Sequence, residues 1–269
     1  MDIVDERVVV TGAASGIGKA LAVEFKNEKA KDVVLADLND EVLKVAEELG
    51  FSGFVLNVGK EDEVKDLISF ANEKMGGIDI FCSNAGIGGE IGLLDVSTEA
   101  WQTIWDVNFM AHAHAAKHLI PQMLDQGSGY LVNTASAAGL LTQIGAAPYS
   151  VTKAAAVSLA EWIKITYGQK GIGVSCLCPQ AVKTAMTGDY SKDTISVVKT
   201  LQTAVDTPKD ASNKDQVRDE ALTLITDYIS RYRNRGMVNK TQSFTTMQTA
   251  LNAMAGHYKN FASRPLPDK

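Results

Sequence analysis

The chain alternates strands and helices up to about residue 186 and offers no β-strand candidate after it, which predicts two modules of different structural class. Short β-rich runs stand at Arg7-Val-Val-Val, Asp32-Val-Val-Leu-Ala, Phe54-Val-Leu, Ile78-Asp-Ile-Phe-Cys, Tyr130-Leu-Val-Asn and Val174-Ser-Cys-Leu-Cys. Segments long enough for helices, such as Gly18 to Asn27 and Glu61 to Met75, separate them. Alternation of this kind calls for a parallel sheet covered on both faces. Beyond the break the period changes. Apolar residues recur at Ile195, Val198, Leu201 and Val205, then at Val217, Ala221, Leu224, Ile225 and Tyr228, then at Phe244, Met247, Leu251, Met254 and Tyr258. These are helical stripes. Asn213 and Gln216 are spaced as a capping box for the middle helix.

Composition changes at the same point. Residues 1–186 hold 19 of the 22 glycines, every Trp and every Cys, and carry a net charge of −9. Residues 187–269 carry +3 and five of the six arginines. The expected domains are therefore 1–186 and 187–269. Over all 269 residues the charge is −6 and the pI about 5.3, which disfavours nucleic acid as a partner. No apolar run reaches the ~18 residues of a membrane-spanning helix. The first residues lack the basic and apolar regions of a signal peptide. Three cysteines (Cys82, Cys176, Cys178) make no disulfide framework and fit a reducing cytoplasm.

The first strand runs directly into Thr11-Gly-Ala-Ala-Ser-Gly-Ile-Gly18 and then a helix. Gly12, Gly16 and Gly18 let a backbone turn tightly and approach a pyrophosphate, while amides at the helix start favour the anion. A strand before and a helix after turn a weak glycine pattern into a dinucleotide fingerprint. Asp37 ends the second strand, where a carboxylate accepts from adenosine ribose hydroxyls and repels a 2′-phosphate. Neither Ser15 nor Leu38 offers a compensating cation, so NAD is expected over NADP.

Tyr149 and Lys153 lie one helical turn apart, a spacing common by chance. Their context gives it meaning. Ser136 follows the strand Tyr130-Leu-Val-Asn, and Asn108 lies in the preceding helix. With Asn84-Ala-Gly86, Ser136-Ala-Ala-Gly139 and Pro179-Gln-Ala-Val-Lys-Thr184, residues 5–186 resemble the short-chain dehydrogenase/reductase family. The resemblance implies a Rossmann-type doubly wound α/β fold and hydride transfer between NAD and a secondary alcohol or ketone. It implies that Tyr149 is the general acid/base, Ser136 bonds the substrate oxygen, Lys153 holds the nicotinamide ribose and tunes Tyr149, and Asn108 supports a proton relay. Tyr149 and Lys153 thus also belong to the implied cofactor site, with Gly12, Ser15, Gly16, Ile17, Gly18, Asp37, Asn57, Val58, Asn84, Ala85, Gly86 and Thr184. Asn57-Val58 departs from the family's usual acidic residue near adenine, Gln180 from the Gly after Pro179, and Ser83 from Asn. His112 and His114 diverge on a helix, so no metal is expected, and a helix surface or subunit interface suits the histidines better. Cys176 and Cys178 share a strand face and read as buried, inert thiols.

After Thr184 the family continues with a substrate lid, a helix and a last parallel strand, and that strand is not found here. From Thr187 the chain is similar to the cyanobacterial photosystem II assembly and repair factor family of the thylakoid lumen, on Asp227-Tyr-Ile-Ser-Arg-Tyr-Arg233, Ser243-Phe-Thr-Thr-Met-Gln-Thr-Ala-Leu-Asn252, Gly256-His-Tyr258 and Arg264-Pro-Leu-Pro267. That resemblance implies an all-α, three-helix part of a truncated four-helix bundle, with the photosystem II core as an alternative partner. The cytoplasmic setting of an NAD enzyme conflicts with the lumenal one, as in a chimeric chain. Three readings follow: an NAD-linked enzyme with a foreign helical tail, a photosystem II binding module on a carrier, or a composite with neither activity. A dehydrogenase with a divergent helical lid is the plainer alternative. Helices around Asn108 and Lys153 are available to pair subunits into a homo-oligomer.

Overall fold

In the computed structural model the described residues are 3–90, 92–180, 182, 190–208, 211, 213–232, 247–249 and 251–252. The chain forms two compact units, Met1–Met186 and Thr187–Lys269. Six strands build the sheet of the first: β1 (Arg7–Thr11), β2 (Asp32–Asp37), β3 (Ser52–Val55), β4 (Ile80–Ser83), β5 (Gly129–Thr134) and β6 (Ile172–Leu177). Their order is β3-β2-β1-β4-β5-β6 and every pairing is parallel. The helices are α1 (Gly16–Asn27), α2 (Glu41–Leu49), α3 (Glu61–Met75), α4 (Thr98–Trp105), α5 (Ala111–Gln126) and α6 (Ala147–Tyr167). This is the doubly wound arrangement, whose strand order reverses between β1 and β4 and opens a crevice at their carboxyl ends.

Alternating residues of the strands feed two cores. Val8, Val10, Val33, Leu35 and Cys82 pack with Ala22 and Phe25 of α1 and with Val42, Val45 and Ala46 of α2. Val9, Val34 and Phe81 pack on the opposite face with Leu67 and Ala71 of α3, Leu119 and Met123 of α5, and Ile163 of α6. Burial on both faces explains why these strands read as continuous Val/Leu runs. Arg7 stitches the far end of the sheet. Its Nε and Nη2 donate to the two Asp79 oxygens at 2.7 and 2.6 Å, and its Nη1 donates to the Gly76 carbonyl at 2.6 Å. The guanidinium hydrogen bonds hold Asp79 below the usual carboxylate range.

The second unit is helical in its described residues, with α7 (Tyr190–Asp206), α8 (Lys214–Tyr232) and helical positions 247–249 and 251–252. Its core joins Val197 and Leu201 to Ala221, Ile225, Tyr228, Tyr232 and Leu251. The expected α7 stripe is corrected by one position. Ile195 and Val198 are exposed, and Val197, Leu201 and Ala204 face the core, with Thr194 hydrogen-bonded to the Tyr228 hydroxyl at 2.7 Å. Two overlapping helical periods run through Val197-Val198, and packing on Tyr228 selects the other one. At the start of α8 the Val217 amide donates to the Asn213 carbonyl at 3.0 Å, and Gln216 Nε2 donates along the helix to Glu220 at 2.9 Å. Phe244, Met254 and Tyr258 lie outside the described residues.

Candidate active site

β1 ends at Thr11, and the backbone turns at Gly12 (φ +69°) and Gly16 (φ +55°) into α1. At Gly12 an added Cβ would sit 2.8 Å from the Ala85 Cα, and at Gly18 it would overlap the Gly12 carbonyl. Both glycines are demanded by backbone approaching backbone, which leaves the turn hugging the β4 end of the crevice. Ser15 precedes α1 in extended conformation and makes no side-chain cap. A helix start leaves its first amides without intrahelical partners, so Gly16, Ile17 and Gly18 can donate to an anion. The cradle fits a pyrophosphate. Asp37 accepts from the Ala14 amide and the Asn39 amide, both at 3.0 Å, which aims the carboxylate beside the turn while each oxygen keeps a lone pair.

Asn84 locks the crevice floor. Its Nδ2 donates to the Thr11 carbonyl at 3.1 Å, and its Oδ1 accepts from Thr134 Oγ1 at 3.1 Å. Thr11 Oγ1 in turn accepts from the Asn84 amide at 3.0 Å and from the Ala85 amide at 3.2 Å. Three strands are thereby tied at one level. Nothing in the sequence marks Thr11 and Thr134 for this role, because short hydroxyl side chains carry no periodic signal.

Asn108 lies in a π-helical turn, Asp106–Met110, between α4 and α5. Such turns interrupt helices frequently at functional sites. Asn108 is fully buried, accepting from the Ile87 amide at 2.8 Å and donating to the Ile87 carbonyl at 2.9 Å. Its Nδ2 also faces Thr152 Oγ1 at 3.5 Å. Lys153 is buried at 3% exposure and donates to the Thr134 carbonyl at 2.9 Å. Burial pushes its ammonium down to about 8. Its Nζ lies 5.8 Å from the centre of the Tyr149 ring. Gly86 closes the group: a Cβ there would stand 3.2 Å from both Asn108 Oδ1 and Lys153 Nζ. Ser136, itself buried, starts a 3-10 turn and accepts from the Ala138 amide at 3.1 Å. β4, β5, α6 and the π-turn thus gather Asn108, Lys153 and Gly86 at the carboxyl ends of the strands, with Ser136 and Tyr149 on the adjoining β5–α6 segment.

Other candidates fall nearby or elsewhere. Asn57 accepts from the Gly59 amide at 2.9 Å, and the Val58 side chain is buried in the core. Thr184 lies outside the described residues. His112 departs from the expected helix surface, being buried; desolvation drives its imidazole down to about 3, so it stays neutral. His114 and His118 do lie together, facing Glu61 at 3.6 and 2.9 Å. Lys117 and His118 hydrogen bonds hold Glu61 near 2. Among the described residues no group of three such side chains fits a metal ion. The Cys176 and Cys178 sulfurs are 4.0 Å apart and half-buried, and desolvation raises the Cys176 thiol to about 12. No described helix is long and apolar enough to cross a membrane.

The short chain dehydrogenase family model matches residues 6–195. The chain belongs to that family. A second model, Photosystem II Pbs27, matches residues 128–269, so the chain belongs to this family as well through its C-terminal portion. Among similar proteins is an uncharacterized oxidoreductase of Staphylococcus aureus strain MRSA252, 34% identical over 192 residues, covering 70% of this chain and 83% of that one. The Photosystem II lipoprotein Psb27 of Synechocystis is 52% identical over 86 residues, covering 32% of this chain and 64% of that protein. A solved 3-ketoacyl-(acyl-carrier-protein) reductase from Brucella melitensis complexed with NADH superposes with a TM-score of 0.66 at 28% identity, covering 68% of this chain and 78% of that one. Ligand-free aldohexose dehydrogenase from Thermoplasma acidophilum gives 0.64 at 27% identity, covering 73% of each chain. The dehydrogenase family therefore accounts for the sheet and its crevice, and the Pbs27 family for the helical second unit.

Proposed function

We propose that residues 1–186 form an NAD-binding core that transfers a hydride between NAD and a secondary alcohol or ketone. The observation that carries this reading is the buried Lys153, held by Thr134 beside Asn108 and under the Tyr149 ring. A buried ammonium is costly to keep, and such perturbed groups cluster at functional sites. When bound, NAD supplies the hydride acceptor and its reduced form the hydride donor. The chain does the rest. The amides of Gly16, Ile17 and Gly18 receive the pyrophosphate, with Ser15 beside them. Asp37 accepts from the adenosine ribose, while Asn57 and the backbone of Val58 flank adenine. Asn84, Ala85 and Gly86 shape the floor under the nicotinamide half, and Thr184 receives the carboxamide. Ser136 donates to the substrate oxygen, and Tyr149 gives or takes the proton at its Oη. Lys153 orients the nicotinamide ribose and favours the charge that develops on Tyr149. Asn108 fixes the inner end of the proton path. A cytoplasmic setting follows from this reading.

Cofactor titration tests the choice of nucleotide. NAD should bind more tightly than NADP, because Asp37 would meet a 2′-phosphate with a like charge and Leu38 beside it is an exposed aliphatic. Asp37→Ala should narrow the preference. Equal or reversed affinities in the unaltered protein would remove Asp37 from this role.

The 52% identity to Psb27 favours a second function for residues 187–269, as a module that binds the photosystem II core. On this reading the chain is a chimera of an enzyme and a binding module. The whole chain should co-sediment with photosystem II core complexes, and the loss of that binding on adding excess Psb27 would identify the shared surface. Failure to co-sediment at micromolar concentrations would count against the module.

A further inference from the structure

Two loops beside the catalytic group carry large aliphatic side chains in solvent. Leu93 and Leu94, after β4, are 60% and 93% exposed. Leu140, Leu141 and Ile144, between Ser136 and Tyr149, are 61%, 76% and 87% exposed. These loops are held in place. The Gly92 amide donates to the Gly145 carbonyl at 2.7 Å, and Gly92 bridges Ala146 in parallel register. The second loop is also fastened to α6, where Ser150 Oγ accepts from the Gln143 amide at 3.0 Å. A tied backbone that leaves five aliphatic side chains in water pays in hydration for something other than stability.

Charge narrows what these side chains meet. Residues 135–152 contain no ionisable side chain except Tyr149, and residues 86–97 contain Glu90 and Asp95 without a Lys or Arg. Neither loop offers a cation to a carboxylate or phosphate, and the two acids would repel one. Both loops leave the carboxyl ends of β4 and β5, the side on which doubly wound sheets bind ligands. The segment between Ser136 and Tyr149 carries three of the five side chains, which puts them on the same loop as the two residues assigned to the substrate oxygen and the proton.

We infer that Leu93, Leu94, Leu140, Leu141 and Ile144 form an apolar rim selecting an uncharged substrate whose aliphatic part extends from the carbonyl or carbinol carbon. This inference rests on the hydride-transfer reading. The substrate gives up apolar surface to the rim as it enters, and an acidic group on its tail finds no cation there.

The test is a series of methyl ketones from butan-2-one to decan-2-one, reduced with NADH, alongside oxo acids of matched length. The expected kcat/KM rises about fourfold per methylene over the first several carbons, from the transfer free energy of a buried CH2. The oxo acids should fall well below the matched ketones. Leu141→Ser with Ile144→Ser should lower the decanone-to-butanone ratio on the order of tenfold. Ligand-observed NMR on the NADH-loaded protein measures affinities of the same series without turnover. A flat dependence on chain length in that experiment, or a preference for the oxo acids, overturns the inference. So does an unchanged ratio in the double variant accompanied by loss of self-association, which would make the rim a contact between copies. Chain-length-dependent binding with no reduction of any ketone would instead overturn the hydride-transfer reading and leave the apolar rim standing.

Discussion

Tyr149→Phe should lower turnover by roughly 10²–10⁴-fold, the usual contribution of a positioned acid/base group, while leaving NAD affinity nearly unchanged. Only the proton-carrying hydroxyl is removed; the ring that lies 5.8 Å from Lys153 Nζ stays. Lys153→Ala should behave differently. It deletes a buried donor to the Thr134 carbonyl and the group to which we assign the cofactor ribose, so both NAD affinity and kcat should fall. Isothermal titration with NAD and initial rates on one ketone separate the two patterns. Normal turnover in the Tyr149→Phe protein would sink the assignment.

Gly12→Val should unfold the first unit well below the temperature at which the parent protein unfolds. A β-branched residue at φ +69° costs about 1–2 kcal/mol from backbone sterics alone. The new Cβ would also stand 2.8 Å from the Ala85 Cα and 2.9 Å from the Ala85 amide, both backbone atoms fixed by Thr11. Together these approach several kcal/mol, a large share of a domain's ~5–15 kcal/mol. At ~2–4 °C per kcal/mol for a unit of this size, a loss of about 10 °C is expected, with NAD binding lost too. Gly50→Val is the matched control, with φ +76° and nothing within 4 Å of the added Cβ. Thermal unfolding by near-ultraviolet circular dichroism should place the Gly12 variant well below the Gly50 variant. Equal midpoints would mean that the turn does not press on β4 as described.

What could be read from sequence was what depends on neighbours along the chain. Each strand is a short run of β-branched and aliphatic residues, and α3 spans Glu61–Met75, the limits its acidic start and the following glycines set. The glycine turn was legible because a strand and a helix flank it. What stayed hidden depends on contacts across the fold. Thr11, Thr134 and Thr152 matter through partners 73, 50 and 44 residues away. The π-turn that presents Asn108 has no sequence signature of its own. In the second unit, Val197 and Val198 serve two helical periods equally well, and only the packing of Tyr228 and Ile225 decides between them. His112 reads as a surface histidine beside His114, yet its place one turn beyond Asn108 turns it inward, where it loses its charge.

The central claim is that the crevice transfers a hydride and that Tyr149 moves the accompanying proton. Reduced cofactor labelled with deuterium at the transferable position, incubated with the methyl ketone series, tests it directly by mass spectrometry of the alcohols formed. Deuterium should appear on the carbinol carbon with the unaltered protein and fall to background with Tyr149→Phe at saturating cofactor. Unlabelled alcohol from the unaltered protein, or equal label from the Tyr149→Phe protein, would contradict the account.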